Sequence, residues 1–185
     1  MSLSDTNKYG AIYSNSDYLG TWKRLGIIII DFVFFSLISI LIIMFDLIVQ
    51  SIGNPNGVEQ SIHPITIFVI IAAIIFYFPV LKATKIGTLG YRIFKAKLVT
   101  LNGKRISVLK SVLRFFFIVF GPINFIFDLI WMSGDYRKQG LRDKIVGTYV
   151  ITNAATPIAK GIIRYPIYDI LGLSFTFAEV EDKAT

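Results

Sequence analysis

Asp31 is the residue in this chain whose setting most demands chemistry. It stands seven positions after Arg24, inside the run from Leu25 to Val49, which holds no lysine or arginine. On a helix, seven residues are about two turns, so both side chains share nearly one face, roughly 10 Å apart along the axis. At that depth Asp31 is expected to lie well inside an apolar layer. An ionised carboxylate at a helix centre there costs about 2.5 to 3.5 kcal/mol on insertion scales, so it must face protein or water, or take up a proton. Two kinds of chemistry answer this. If water reaches it, Asp31 can hold a proton and a cation in turn, with Asp46, Asp128 and Asn124 as further oxygen donors of the kind hard cations take. Alternatively, Arg24, Asp31, Arg114 and Asp143 form a buried polar network, with Asp143 meeting Arg24 or Arg114, because buried charges persist when paired.

The elements that must position these residues are apolar helices. Leu25 to Val49 is long enough, at about 1.5 Å per residue, to cross a hydrocarbon core of roughly 30 Å with tilt. Trp22, Lys23 and Arg24 precede it and suit a headgroup layer. This run is too long for a signal-peptide h-region, so no cleaved signal is expected. A second span is expected from about Ile62 to Leu81, with Pro64 in its first turn, where a missing N–H costs least. Between them, Gly53-Asn54-Pro55-Asn56-Gly57 is a turn-rich link without a cation, placed on the non-cytoplasmic side. His63 reads as a solvated end residue with no role.

The stretch from Val112 to Met132 is apolar but broken by Gly121-Pro122 into halves too short to cross alone. Read as a full third span, it would put Arg137, Lys138, Arg142 and Lys144 outside, against the positive-inside bias. A re-entrant hairpin removes that conflict, and an ordinary third span is the alternative. Between the second and third stretches the chain is strongly basic from Lys82 to Lys110, with no acid, and is expected to be a cytoplasmic loop that sets orientation. Within it, residues 91 to 109 read as a short β-hairpin turning at Asn102-Gly103.

Composition agrees with a membrane protein. The 185 residues are 54% hydrophobic and 17% charged, with a mean hydropathy of +0.64. The net charge of +7 comes from 19 Lys and Arg that all avoid residues 25 to 81, a topology signal that argues against nucleic acid as a partner. Having no cysteine, the chain forms no disulfide, thiolate metal site or thiol nucleophile. A single histidine, no GxSxG elbow and no metal-ligand cluster make an enzyme the least favoured class, with no catalytic residue and no cofactor expected.

These motifs resemble the RDD family, small membrane proteins named for one arginine and two aspartates. Trp22-Lys-Arg-Leu-Gly-Ile-Ile-Ile-Ile-Asp31 is similar to the family's first-helix signature, with Arg24 as the arginine and Asp31 as the first aspartate. Thr88-Leu89-Gly90, Asn102-Gly103 and Arg114 resemble its Thr-x-Gly, Asp-Gly and downstream Arg positions. Gln139-Gly-Leu-Arg-Asp143-Lys-Ile-Val-Gly-Thr148 resembles its closing segment, with Asp143 as the second aspartate. Asn102, Tyr91 and Arg142 depart from residues common at those positions.

The expected fold is therefore an all-α membrane protein with two transmembrane helices, a Pro-broken third segment and a cytoplasmic β-hairpin-like insertion. A polar lead-in at 1–17, a membrane domain at 18–151 and a C-terminal tail at 152–185 divide the chain. The resemblance implies a transporter or monovalent cation/proton antiporter component; the alternative is a membrane scaffold or assembly protein without transport. Expected partners are the lipid bilayer, a second copy or another membrane protein, and a monovalent cation. The expected location is the cell membrane, with the N-terminus and the 82–110 loop cytoplasmic.

Overall fold

The computed structural model describes residues 9–53, 61–119, 122–170 and 173–181; most of the turn-rich link after Gly53 lies outside the described residues. Helix α1, Thr21–Gly53, and helix α2, Pro64–Ile75, are the first two helices, and α2 runs on through a π-helical turn, Phe76–Leu81. Pro79 lies inside that turn. A proline cannot donate to the preceding turn, and the ladder widens around it. Among the described residues, Thr21–Gly53 and Pro64–Leu81 are the two helices long and apolar enough to cross a membrane, and only 11% of the most apolar stretch of each is buried. Phe32, Leu41 and Phe45 on α1 and Ile65 and Phe68 on α2 are two-thirds exposed or more. That much continuous apolar surface is tolerated in lipid and not in water, so these helices are what associates the chain with a membrane.

The two helices differ in length, and this moves Asp31. At about 1.5 Å per residue α1 is far longer than a hydrocarbon core, whereas the second span roughly matches one. The near-N-terminal part of α1 buries Arg24, Ile27 and Asp31. Near its other end Asp46 accepts a hydrogen bond from the His63 N–H at 3.0 Å, which puts the start of α2 level with Asp46. At the opposite end Lys82, the residue after the second span, lies 3.7 Å from Asp31. Asp31 is thus level with the end of the second apolar helix, where the first turns of α1 pack against the strands.

That head is built on strands. Strand β2, Ala96–Thr100, pairs antiparallel with β3, Thr148–Thr152, with Val99 opposite Tyr149. Side chains alternate between the two faces of such a ribbon. Val99, Tyr149 and Ile151 point to one face and pack with Ala11, Ile12, Tyr13, Tyr18 and Val180. Ala96, Leu98 and Val150 point to the other and pack with Leu19, Ile27, Tyr91 and Ile106. One core therefore joins the ribbon to the base of α1, and the other joins it to an outer sheet. The outer sheet has the order β1-β4-β7, from Tyr9–Ile12, Ala159–Arg164 and Glu179–Glu181. Strands β5, Ile167–Ile170, and β6, Leu173–Thr176, form a further pair.

Two expectations need correction. The described residues are not all-α apart from one hairpin: seven strands make three small antiparallel sheets, and they use both the polar lead-in and the segment after residue 152. Nor do residues 91 to 109 form a hairpin. The Asn102-Gly103 turn exists, with Gly103 at φ +74° and its N–H on the Thr100 carbonyl at 2.8 Å. Beyond the isolated bridge of Val99 and Arg105 its arms part, and β2 takes the distant β3 as partner. Tyr91 belongs instead to the short helix α3, Leu89–Ile93.

The proline-broken stretch comprises α4, Val108–Val119, and α5, Pro122–Gly134, each only about two-thirds of the hydrocarbon thickness. Helix α4 has its polarity inverted relative to a soluble helix. Leu109, Leu113 and Phe116 face outward while Ser111 and Arg114 are buried. The short helix α6, Leu141–Val146, leads through Gly147 at φ +68° into β3.

The alternation makes Ile151 a test of the ribbon. Its side chain is fully buried in the outer core, and Ile151→Ala should destabilise the head by about 2–5 kcal/mol. Chemical denaturation in detergent, followed through head fluorescence, measures this; a loss well under 1 kcal/mol would contradict the packing.

Candidate functional site

The charged residues singled out in the sequence assemble into two adjacent buried nodes rather than one continuous network. The first node is centred on Asp143, at the start of α6 and fully buried. One of its oxygens accepts from the Arg24 guanidinium of α1. The other is 2.5 Å from Arg114 Nη2 of α4. Arg114 Nη1 also donates to Thr148 Oγ1 at 2.9 Å, and Arg24 Nε donates to the Leu19 carbonyl at 2.9 Å. A single carboxylate thus ties the first span, α4, α6 and β3 together. Burial would raise the Asp143 carboxyl, but Arg114 and then Arg24 outweigh it and hold the group below the ordinary carboxylate range.

The second node is centred on Asp31. Its Oδ2 accepts from Thr88 Oγ1 at 2.7 Å; its Oδ1 accepts from the Gly90 N–H at 2.7 Å and the Tyr77 hydroxyl at 3.1 Å. Thr88-Leu89-Gly90, marked in the sequence only by the family resemblance, is the cradle of Asp31, a role that sequence reasoning misses. Glycine is needed there because a Cβ at Gly90 would stand 2.5 Å from the Ile27 carbonyl oxygen and 3.0 Å from Asp31 Oδ1. The Lys82 ammonium, 3.7 Å from Asp31 Oδ2, supplies the neutralising charge. Burial pushes this amine down to about 8, with Asp31 opposing the shift.

A third contact completes the interior. Arg142 Nε lies 3.1 Å from Asp128 Oδ2, and the Arg142 N–H donates to Asp128 Oδ1 at 3.2 Å. Asp128 lies so close over Gly140 that any side chain there would collide with the carboxylate. The cations Arg24, Lys82, Arg114 and Arg142 and the carboxylates Asp31, Asp128 and Asp143 therefore share one interior with an excess of positive charge. Asp46 is not part of it, since it meets His63 near the other end of α1. The side chain of Asn124 lies outside the described residues.

The charged residues of these nodes all lie within the stretch that one family's profile matches. The sequence profile of the RDD family matches residues 18–147, well over half of the chain. The chain belongs to the RDD family. Arg24, Asp31 and Asp143, the residues that the resemblance assigns as the family's arginine and two aspartates, each stand in one of the two nodes. The chain is also similar to an uncharacterized protein, YxaI, of Bacillus subtilis strain 168, with 33% identity over 87 residues that make up 46% of this chain. It spans 57% of the length of that curated relative. No solved structure matches the chain.

Two outcomes follow from the geometry. Asp143→Ala leaves two guanidiniums buried against each other and should cost about 3–5 kcal/mol. Because the folded carboxyl titrates below its ordinary value, its contribution is complete above about pH 4 and is lost as pH falls through the lower, folded value. Melting of Asp143→Asn in detergent should accordingly lie well below wild type at pH 7 and approach it in acid; parallel profiles would contradict the clamp. Gly90→Ala should destabilise by about 1–3 kcal/mol through overpacking, and an unchanged melting temperature would contradict the close approach over Ile27.

Proposed function

We propose that this RDD protein is a membrane scaffold: a two-span anchor that holds a small β-rich head in a fixed pose at the membrane surface for a partner protein. In this reading the N-terminus and the 82–110 segment are cytoplasmic, as the positive-inside bias favours, and α4 and α5 form a re-entrant or interfacial pair beside the spans. The observation that carries it is that both aspartates are enclosed by donors and cations of the same chain. The two oxygens of Asp31 accept three hydrogen bonds from the same chain, and each oxygen of Asp143 lies against a guanidinium, Oδ1 through the ion pair alone. A dehydrated cation takes several oxygen ligands at once, and at either carboxylate it would have to displace a cationic side chain already in contact with it. Breaking a buried pair is costly, which suits a permanent tie better than a site that empties and refills.

Proton-coupled cation exchange is the second reading, and Lys82 favours it. An amine brought down to about 8 beside a carboxylate changes charge close to physiological pH. Loss of that proton would leave Asp31 with excess negative charge and an attraction for a monovalent cation.

Proteoliposomes holding purified protein separate the two. The scaffold reading predicts no proton flux dependent on sodium, lithium or potassium, in wild type or in Asp31→Asn. Flux in wild type that disappears in an Asp31→Asn variant with unchanged folding and assembly would overturn it in favour of exchange.

A further inference from the structure

Just past the end of the second span lies a groove of about 350 Å³ that neither aspartate node explains. It is lined by Lys82, Lys85, Arg92, Lys97 and Arg105, with no acidic residue among the described lining residues. These cations come from separate places in the sequence. Lys82 and Lys85 follow the span, Arg92 is on α3, Lys97 is on β2 and Arg105 follows the Gly103 turn. A basic loop that only set orientation would have no need to converge on one concavity.

Several of the cations are held in position without being neutralised. Arg92 Nε donates to the Ile86 carbonyl at 2.9 Å, and Lys97 Nζ donates to the carbonyls of Asn153 and Ala155 at 2.9 and 2.8 Å. Carbonyls orient these groups but leave their charge intact. Among the described residues no salt bridge joins Lys85, Arg92, Lys97 or Arg105 to a carboxylate. Lys82 and Tyr91 also border the small cavity beside Arg114 and Arg142, so the positively charged interior adds to the field at the groove.

The depth of the groove indicates what it faces. Lys82 directly follows Leu81, the last residue of the second span. Ile86, more than half exposed, lines the groove; Ile93, as exposed, is the residue after Arg92 of its lining, and Leu109 projects from the start of α4. Apolar side chains next to a cation-lined hollow, at the end of a membrane span, fit the boundary between acyl chains and headgroups. The anion present at that level in high local concentration is the phosphate of a lipid.

We propose that this groove binds the phosphate of an anionic phospholipid headgroup, with Lys85 and Arg105 as its principal uncommitted donors and the acyl chains lying along Ile86 and Ile93. The same chemistry would accept a soluble phosphate ester, so the test includes both sources. Full-length protein in non-ionic detergent is titrated with dioleoylphosphatidylglycerol, dioleoylphosphatidylcholine or sn-glycerol 3-phosphate, and bound ligand is counted by native mass spectrometry. Wild type should prefer phosphatidylglycerol to phosphatidylcholine. Lys85→Gln with Arg105→Gln should weaken phosphatidylglycerol roughly 30-fold, at about one tenfold step per 1.4 kcal/mol and about 1 kcal/mol per cation near a membrane surface. The swap Lys85→Arg with Arg105→Lys should retain the preference. The pair Lys104→Gln with Lys160→Gln removes the same charge outside the groove and should leave binding within a factor of two or three. Equal binding of the two lipids, or equal losses in the two Gln pairs at unchanged melting temperature, would overturn the groove as the site. Glycerol phosphate binding as tightly as phosphatidylglycerol would overturn the lipid as its source.

Discussion

A carboxylate buried between two guanidiniums is the constraint on which the rest of this structure depends. Asp143 has no access to water, and a charge so placed is tolerable only if its partners are fixed around it. Arg24 comes from the first span and Arg114 from α4. Satisfying one group therefore decides how the membrane helix, the short helix beside it and the strand after α6 meet. The ribbon of β2 and β3 then has its two faces assigned, one to the base of α1 and one to the outer sheet.

Asp31 extends the same logic toward the membrane. A helix as long as α1 overruns the bilayer, and its excess length lets the acidic residue sit where the second span ends and a cradle can be built. The cradle consists of a hydroxyl, a backbone N–H and a tyrosine, with an ammonium nearby. Such a site keeps the carboxylate without requiring a ligand. Together the two aspartates make the joint between membrane anchor and head rigid, and this is why the scaffold reading fits the geometry better than a site that cycles. The groove beside this joint has the opposite character: apart from Lys82, its cations have no partner carboxylate among the described residues.

Much of this was legible in the sequence because charge in an apolar run is hard to ignore. Arg24 and Asp31 stand out by setting, Arg114 and Asp143 are marked by the family resemblance, and both expected partners of Asp143 are present around it. The two spans follow from length and hydropathy. Other features were not legible, for identifiable reasons. Asn102-Gly103 does make its turn, but the turn signal is local and carries no information on which strand pairs with β2; that partner lies some fifty residues on, at Thr148–Thr152. Tyr9–Ile12 and Glu179–Glu181 are short and weakly patterned, and only pairing with β4 makes them strands. Thr88 and Gly90 look like turn residues until Asp31 is placed beside them, because what selects them is a contact across the fold.

The joint itself is tested most directly by a double-mutant cycle between Arg24 and Asp143, with unfolding free energies of wild type, Arg24→Ala, Asp143→Ala and the double variant measured in one detergent. If the clamp is real, the double variant is less destabilised than the sum of the singles, with a coupling of about 1–3 kcal/mol. Additive single effects, within about 0.5 kcal/mol, would mean that the two residues act independently and that something other than this ion pair holds the head to the membrane helix.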